Sequence, residues 1–576
     1  MKIFNNKVNI ERRNNIVNSS IIFFSSTLLL LYYLLSMRAN IQLPIILFFI
    51  NIILMISVVL YQCFNIASYR EFSPHSYINI ILFEIAILNF VFHLIYQIPF
   101  YGLVGIDALG DYSSAKSIVF TGHVMGDPEY ITNYSYFPII HIFGVILSYI
   151  SGIDLYVVAK WFPSFIDTSL ILILYLFVRI IYTEEIISLI SILLYSCIQH
   201  RILFSSLFIR ETIALVLTIL SIYLYYKAQK GINTTINYGL SFICLFATIF
   251  SHHLTSFMLN LFLFIHYIFI KATKTPFLSK YYFNNNINGI KINTNYLLFG
   301  ITTMLLYWEY IIMYPLNTIA TFLRRVFFPR QGVITYTQIR GISLSSLAAQ
   351  TLRGSIIYYG FFFFHFFLGL IMLYRLLPKS RSSNVETYSF TFYFFITGLI
   401  GFVSLYFIPT GVFPDRFLMF GWLFSSAPLI LSILRIRNKL LLRFCVFILV
   451  TFMIFNIYMI HPNTWDLSAE RGVMDAVSEE DYLLSYTIDF ANGEIFGTPY
   501  PLAAIREIQN VEGTRLSSSE KDLSRYDWII YEKKVIEGVI IKTNTTEALM
   551  ELSIGNSVDY IKIYESNRFV VFKIRK

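Results

Sequence analysis

The chain of 576 residues has little charge and few cysteines. Charged side chains make up 13% of it and hydrophobic ones 56%, whereas a soluble globular domain carries about 25% charged residues. Its four cysteines lie in or beside apolar segments, and residues 462–576 contain none, which excludes a disulfide framework there. The P-loop, the G-x-G-x-x-G fingerprint, the G-x-S-x-G elbow and the H-E-x-x-H zinc motif are also missing. The composition therefore indicates a chain that is solvated mostly by lipid.

Long apolar segments recur along residues 20–461, and most have the length of about 20 residues that crosses the hydrocarbon of a bilayer. The sequence predicts about thirteen spans, at residues 20–36, 42–62, 78–98, 163–182, 185–200, 208–228, 236–251, 254–271, 296–314, 355–377, 388–408, 416–434 and 440–461. The predicted fold class is thus a polytopic α-helical membrane protein. Residues 1–461 form its transmembrane domain, and residues 462–576 form a small extracytoplasmic α/β domain.

Lys and Arg residues indicate the orientation of these spans. They precede span one and follow spans six, eight, ten and twelve, so the positive-inside rule places the N-terminus in the cytoplasm and residues 462–576 outside the plasma membrane. The net charge of +9 divides into +15 for residues 1–461 and −6 for the remainder. The basic excess therefore reflects topology and phosphate contact, and a nucleic-acid surface is not expected.

The external domain is predicted to contain a strand at residues 526–531 and a β-hairpin at residues 560–564 and 569–574, with a helix that begins at Ser478. Two further outward segments interrupt the spans. The first outer loop, residues 99–162, includes an apolar stretch at residues 139–150 that we expect to lie as a helix in the membrane interface. The second outer loop covers residues 315–354.

Carboxylates are scarce in the transmembrane domain, which makes a pair of them in the first outer loop informative. Of 34 Asp and Glu residues, 15 belong to residues 1–461, and two of these are Asp107 and Asp111. Charges at a membrane exit point to function, and a spacing of four residues puts both on one face of a helix. One of them is expected to act as a general base, supported by the other. They are also the ligands expected if Mg²⁺ or Mn²⁺ is used. The alternative interpretation is a helix cap and a solvated acid.

Other charged residues fall at the same outer level. Arg210 and Glu211 start span six, His252 and His253 separate spans seven and eight, and Arg416 precedes span twelve. Ion pairing at helix ends would explain each of them separately, and the histidine pair is also a possible metal site. Together they favour a site for a donor phosphate or another part of the substrate.

The second outer loop carries five arginines and no Lys, Asp or Glu. Arg324, Arg325 and Arg330 are the first three, followed by Arg340 and Arg353. Guanidinium groups match phosphate oxygens with two parallel hydrogen bonds. The loop is therefore predicted to contact the donor phosphate, although anionic lipid headgroups would attract the same residues.

The order of these motifs resembles the GT-C glycosyltransferases, which are integral membrane enzymes that take sugars from polyprenyl-phosphate carriers. Asp107 resembles the Asp of the family's first outer loop, and Arg210-Glu211 resembles its short second acidic motif. Residues 136–143, Tyr-Phe-Pro-Ile-Ile-His-Ile-Phe, resemble the YPP-L-H stretch, and Lys160-Trp-Phe-Pro163 resembles the R-L-P entry of the next span. The sequence departs from two branches of the family. Ala108 replaces the Glu of an Asp-Glu doublet, and Thr464-Trp465-Asp466 is a partial Trp-Trp-Asp motif.

The resemblance implies an archaeal-type hexosyltransferase that moves a sugar from a polyprenyl (dolichyl) phosphate by inversion, with an Asp base. Its implied acceptor is a lipid-linked glycan, a glycoprotein or a cell-envelope polymer. Two alternatives remain open. An envelope-polysaccharide polymerase or ligase would use outer-loop arginines without a first-loop Asp. A secondary transporter of lipid-linked or small solutes would show inverted repeats, which the sequence lacks.

Overall fold

The computed structural model describes residues 2–39, 41, 43–67, 75–100, 102–104, 106–124, 135–273, 293–312, 368–369, 371–372, 385–407 and 413–459, and seven strands after residue 490. The described helices are α1 Lys2–Arg38, α2 Ile45–Ala67, α3 His75–Leu94, α4 Ile106–Thr121, α5 Ile139–Ser151, α6 Leu155–Tyr182, α7 Glu185–Ser196, α8 Gln199–Ser206, α9 Arg210–Gln229, α10 Thr234–Ser251, α11 His253–Thr273, α12 Thr294–Tyr307, α13 Val385–Phe407, α14 Phe413–Leu434 and α15 Lys439–Met459. A π-helical turn, Trp308–Ile312, continues α12.

The predicted polytopic helical class is confirmed. In the part of the chain that the structure describes, nine helices are long and apolar enough to cross a membrane, and α7 with α8 adds a tenth span that is bent by 68°. Each predicted span that falls on described residues coincides with a helix. The span predicted at residues 355–377 lies almost entirely outside them.

Helix α6 begins earlier than predicted, at Leu155 rather than at residue 163. In the structure Pro163 lies inside α6, a position that membrane helices tolerate. The helix instead begins after Asp154, whose Oδ1 accepts a hydrogen bond from the amide N–H of Tyr156 at 2.8 Å.

The first outer loop contains two helices that prepare the site. Helix α4 carries Asp107 and Asp111 on one face, as the spacing predicted. Helix α5 matches the helix expected at residues 139–150, and it ends at Gly152, whose φ of +68° is left-handed. On α5, His141 and Gly144 face the protein, whereas Phe143 and Tyr149 are exposed. This two-sided burial suits a helix at an interface.

Packing of the helices brings the beginnings of several of them together. Helix α9 packs against α10 and α6, and α14 packs against α13 and α7. Side chains on the outside are largely apolar, for example Leu28 and Phe447, which are each 67% exposed. Such a surface is stable in lipid and not in water.

After residue 490 the described strands are β1 Ile495–Gly497, β2 Leu516–Ser517, β3 Trp528–Glu532, β4 Val535–Ile536, β5 Val539–Ile540, β6 Asp559–Glu565 and β7 Phe569–Arg575. Five form a mixed sheet in the order β2-β1-β3-β7-β6, and β4 pairs with β5. The predicted strand and hairpin correspond to β3 and to the antiparallel pair β6–β7. The helix predicted from Ser478 lies outside the described residues.

Candidate active site

Charged residues from three separate helices meet at one place. Asp107 belongs to the first turn of α4, Arg210 and Glu211 start α9, and Arg416 lies in the first turn of α14. The junction of His252 and His253 lies nearby, since the Phe137 ring is 5.6 Å from the Arg210 guanidinium and 5.5 Å from the His253 ring. The structure therefore brings together residues that are up to about 300 positions apart in the sequence.

Asp111 is the buried centre of one half of this cluster. Its side chain is 0% exposed, and its Oδ1 lies 2.8 Å from His141 Nε2 and 3.1 Å from Arg210 Nε. Its Oδ2 accepts a hydrogen bond from the amide N–H of Arg210 at 3.2 Å. Both carboxylate oxygens are thus engaged, and they join α4, α5 and the start of α9. In this structure both oxygens of Asp111 face side chains and backbone of the protein.

Asp107 has different surroundings. Its side chain is 32% exposed, and its Oδ2 lies 3.5 Å from Arg416 Nη2. The other side of the same guanidinium faces Glu211, with Nε 3.5 Å from Oε2. Glu211 is buried. Arg416 therefore lies between a buried carboxylate and a partly exposed one, at distances longer than a charge-assisted hydrogen bond of about 2.8 Å.

Aromatic rings lie against both arginines. The Arg416 guanidinium is 4.6 Å from the centroid of Phe204, and the Arg210 guanidinium is 5.6 Å from that of Phe137. These distances suit cation–π contact. Phe137 and His141 belong to the stretch that resembles the family motif, but no role was predicted for either of them. Phe204 lies within an apolar run, so no sequence signal pointed to it.

The two histidines pack against aromatic rings on one side of the site. The Phe137 ring lies 5.5 Å from the His253 ring and 6.2 Å from the Tyr307 ring. His252 lies between two spans, and burial, the neighbouring His253 and the two arginines hold its pKa well below its usual range. The amide N–H of Thr255 points to His252 Nδ1 at 3.4 Å. His252 is therefore neutral and carries its proton on Nε2.

Both first-loop carboxylates face basic side chains. Among the residues that the structure describes, no group of three or more His, Cys, Asp or Glu side chains could hold a metal ion. Asp111 is paired with a guanidinium and an imidazole, and Asp107 faces the Arg416 guanidinium. Positive charge beside these carboxylates comes from arginine, and a metal ion would have to compete with it.

The second outer loop lies outside the described residues, so the positions of Arg324, Arg325 and Arg330 are not part of this geometry.

No family model matches the sequence, and no curated protein is significantly similar to it. Among solved structures, the oligosaccharyltransferase of Archaeoglobus fulgidus, tethered with an acceptor peptide containing the NVT sequon, is 14% identical with a TM-score of 0.43. The match covers 76% of this chain and 63% of that one, so this chain spans less than two thirds of that protein.

ArnT from Cupriavidus metallidurans, bound to undecaprenyl phosphate, is 9% identical with a TM-score of 0.47, over 86% of this chain and 97% of that one. Its apo structure gives the same identity and TM-score, over 87% and 98%. These values describe a partial likeness of fold, so residue roles are argued below from the contacts in this chain. The solved structures that this chain resembles in fold include an oligosaccharyltransferase and ArnT.

Proposed function

We propose that this protein is a membrane glycosyltransferase that moves a sugar from a polyprenyl-phosphate carrier to an acceptor on the outer face of the membrane. The observation that carries the proposal is the meeting of one partly exposed carboxylate, Asp107, with the Arg416 guanidinium in a protein whose described helices expose many apolar side chains. A base beside a phosphate-binding group is what transfer from a sugar phosphate needs.

Asp107 is the proposed general base. Its 32% exposure lets an acceptor hydroxyl approach, whereas Asp111 is fully buried and has both oxygens engaged. A base must come within hydrogen-bond reach of the proton that it removes. We therefore assign Asp111 a positioning role: it holds Arg210 against α4 and α5.

Arg416 and Arg210 are the proposed phosphate ligands. A guanidinium can give two parallel hydrogen bonds to phosphate oxygens, and the Arg416 guanidinium lies 3.5 Å from Asp107 and from Glu211, beside the partly exposed carboxylate proposed as the base. In the reaction the acceptor oxygen attacks the anomeric carbon and Asp107 takes its proton. The bond from that carbon to the phosphate oxygen breaks, and its electron pair stays on the phosphate. Attack opposite the leaving group inverts the configuration.

An anionic donor needs more positive charge than these side chains supply. Three carboxylates and two guanidiniums give the described cluster a formal charge of −1. The beginnings of α4, α9 and α14 add partial positive charge. We propose that Arg324, Arg325 and Arg330 supply the rest, because their loop contains no acid to neutralise them. The proposed reaction does not depend on Mg²⁺ or Mn²⁺, and a chelator is expected to leave it unchanged.

The proposed sugar is a hexose, and the proposed acceptor is a lipid-linked glycan, a glycoprotein or an envelope polymer. Because Ala108 follows Asp107 and a complete Trp-Trp-Asp motif is missing, we favour a glycan acceptor over a peptide sequon.

The test is transfer from synthetic polyprenyl-phosphate hexoses to extracted envelope glycolipids by the purified full chain. Asp107→Asn is expected to lower turnover about 10²–10⁴-fold, the usual loss for a general base, with unchanged binding of polyprenyl phosphate. Asp111→Asn is expected to lower thermal stability as well as turnover, since it loosens Arg210. Full turnover in Asp107→Asn would contradict the assignment. Movement of the polyprenyl-phosphate hexose across a vesicle membrane, without transfer of its sugar to an acceptor, would favour a transporter.

A further inference from the structure

A second polar cluster lies inside the helical bundle, at the bend between α7 and α8. All eight residues of α8 are buried, although several are polar. Arg201 is 0% exposed and forms an ion pair with Asp167 of α6, which is 1% exposed. The same guanidinium lies 4.9 Å from the ring centroid of Tyr195.

Helix α3 completes this cluster. Asn89 Nδ2 donates to Asp167 Oδ2 at 2.9 Å, and His93 Nε2 lies 3.2 Å from the same oxygen. His93 Nε2 is also 2.8 Å from Ser205 Oγ. Helix α8 is therefore tied by polar contacts to both α3 and α6, in addition to the apolar packing of Ile202, Leu203 and Phe204 in the core.

Phe204 connects this cluster to the candidate active site. It lies three residues after Arg201, one turn further along α8, and its ring supports Arg416 at 4.6 Å. Its carbonyl oxygen accepts a hydrogen bond from Thr212 Oγ1 at 3.2 Å. Thr212 follows Glu211, which faces the same guanidinium. The ring and the carboxylate that flank Arg416 thus belong to one elbow between α8 and α9.

Stability gives little reason to bury such a pair. Desolvation of two charges offsets most of their attraction, and apolar replacements of similar size are often neutral or stabilising. The buried pair of Arg201 with Asp167 therefore acts mainly on the direction of α8 and contributes little to the free energy of unfolding. We propose that Asp167, Arg201 and Phe204 form a positioning unit that fixes the guanidinium of Arg416 at the candidate active site. The relevance of this unit to catalysis rests on the proposed function, but the geometry does not.

The first measurement needs no activity. Phenylglyoxal modifies accessible guanidiniums, and mass spectrometry gives the rate of modification of Arg416 in the full chain. Phe204→Leu, and the double variant Arg201→Met with Asp167→Leu, are expected to raise that rate about 3- to 30-fold, the range that a lost cation–π contact allows. Tyr296→Phe is the control, because it removes buried hydrogen bonds to Ser221 and Ser241 at 2.7 and 2.8 Å elsewhere in the bundle.

The second measurement is a double-mutant cycle on transfer. Phe204→Leu is expected to lower kcat about tenfold in the natural chain and less than about twofold in an Arg416→Lys background, since residues that act together are not additive. Unchanged Arg416 modification in both variants would overturn the proposal, and so would effects that simply multiply. If the double variant does not fold, Phe204→Leu decides alone. If the natural chain transfers no sugar, the proposed function fails, while the modification rates still test the positioning unit.

Discussion

Asp107 and Asp111 are identical side chains one helical turn apart, and their surroundings separate their roles. Asp111 is fully buried, with contacts of 2.8 and 3.1 Å to an imidazole and a guanidinium. Asp107 is 32% exposed, with a contact of 3.5 Å. A carboxylate that is already satisfied cannot accept a further proton from a substrate without losing those bonds. Its partial exposure is therefore the reason that Asp107, rather than Asp111, is the proposed base.

Substitution of Arg416 tests whether the bidentate geometry of its guanidinium matters in addition to its charge. Arg416→Lys keeps a positive charge but loses the two-pronged geometry and much of the contact with Phe204. We expect kcat/KM for the polyprenyl-phosphate sugar to fall about 10- to 100-fold, which corresponds to loss of one or two charge-assisted hydrogen bonds. The matched control is Arg437→Lys in the exposed segment between α14 and α15, which should transfer normally. Equal activity of both variants would show that charge alone suffices.

The lowered pKa of His252 predicts that the stability of the protein depends on pH. Its pKa is held well below 6.5 by burial and by the nearby His253 and arginines, so the unfolded chain binds a proton at a higher pH than the folded one. The contribution of the neutral His252 to the free energy of unfolding is fully present above about pH 6.5. Below that pH it decreases by up to about 1.4 kcal/mol per pH unit.

We therefore expect the apparent Tm in detergent to fall between pH 7 and pH 5, and to fall less in His252→Gln. The comparison should be made at constant ionic strength, and His123→Gln is the control, because His123 lies on an exposed turn. An identical decrease in the natural chain and in His252→Gln would contradict a neutral, buried His252.

At the scale of elements, the site is built from the beginnings of helices. Asp107 and Glu211 each lie in a first turn, where the helix dipole favours carboxylates. Arg210 and Arg416 occupy the same turns of their helices and therefore rely on those carboxylates for compensation. The arrangement places alternating charges side by side at the ends of rigid elements, which limits how far each can move.

Gly144 of α5 tests how tightly the first outer loop is packed on this site. A Cβ at this position would lie 2.8 Å from Phe208 Cζ, and Phe208 is followed closely by Arg210. We expect Gly144→Ala to destabilise the protein by about 1–3 kcal/mol through overpacking, and to lower transfer. Gly239→Ala in α10 is the control, since nothing lies within 4 Å of its Cβ, and helix propensity should raise stability by up to about 1 kcal/mol. Thermal unfolding of both variants in one detergent gives the comparison.

At the scale of the whole molecule, the prediction concerns orientation. The distribution of Lys and Arg predicts that the N-terminus and the turn after α9 lie in the cytoplasm, and that residues 462–576 lie outside. A reporter that is active only after export should work when fused after Lys576 and should fail when fused after Lys230. A reporter active only in the cytoplasm should give the opposite pattern. If the fusion after Lys230 behaves as exported and the fusion after Lys576 as cytoplasmic, the candidate active site lies on the inner face. That result would contradict a donor bound at the outer face.

The sequence by itself determined the helical class, the positions of the spans and the strands of the final hairpin. These follow from local properties: apolar length in lipid, alternation in strands and the small set of caps. It also indicated that Asp107, Arg210, Glu211 and Arg416 share one level of the membrane, because spans fix depth. Helix α6 extends beyond the predicted span towards its N-terminus and begins at Leu155, because the sequence does not distinguish a proline inside a membrane helix from one at its beginning.

Only the tertiary structure decided which of these residues touch. Depth along the membrane does not say which helices are neighbours, so the contacts of Arg416 with Asp107 and Glu211 could not be derived from the chain. Nor could the separate environments of Asp107 and Asp111, because burial is a property of packing and not of spacing. Phe204 and Arg201 illustrate the same limit. In the sequence one is an ordinary apolar residue and the other an isolated charge. The 68° bend between α7 and α8 places Phe204 against Arg416 and Arg201 against Asp167.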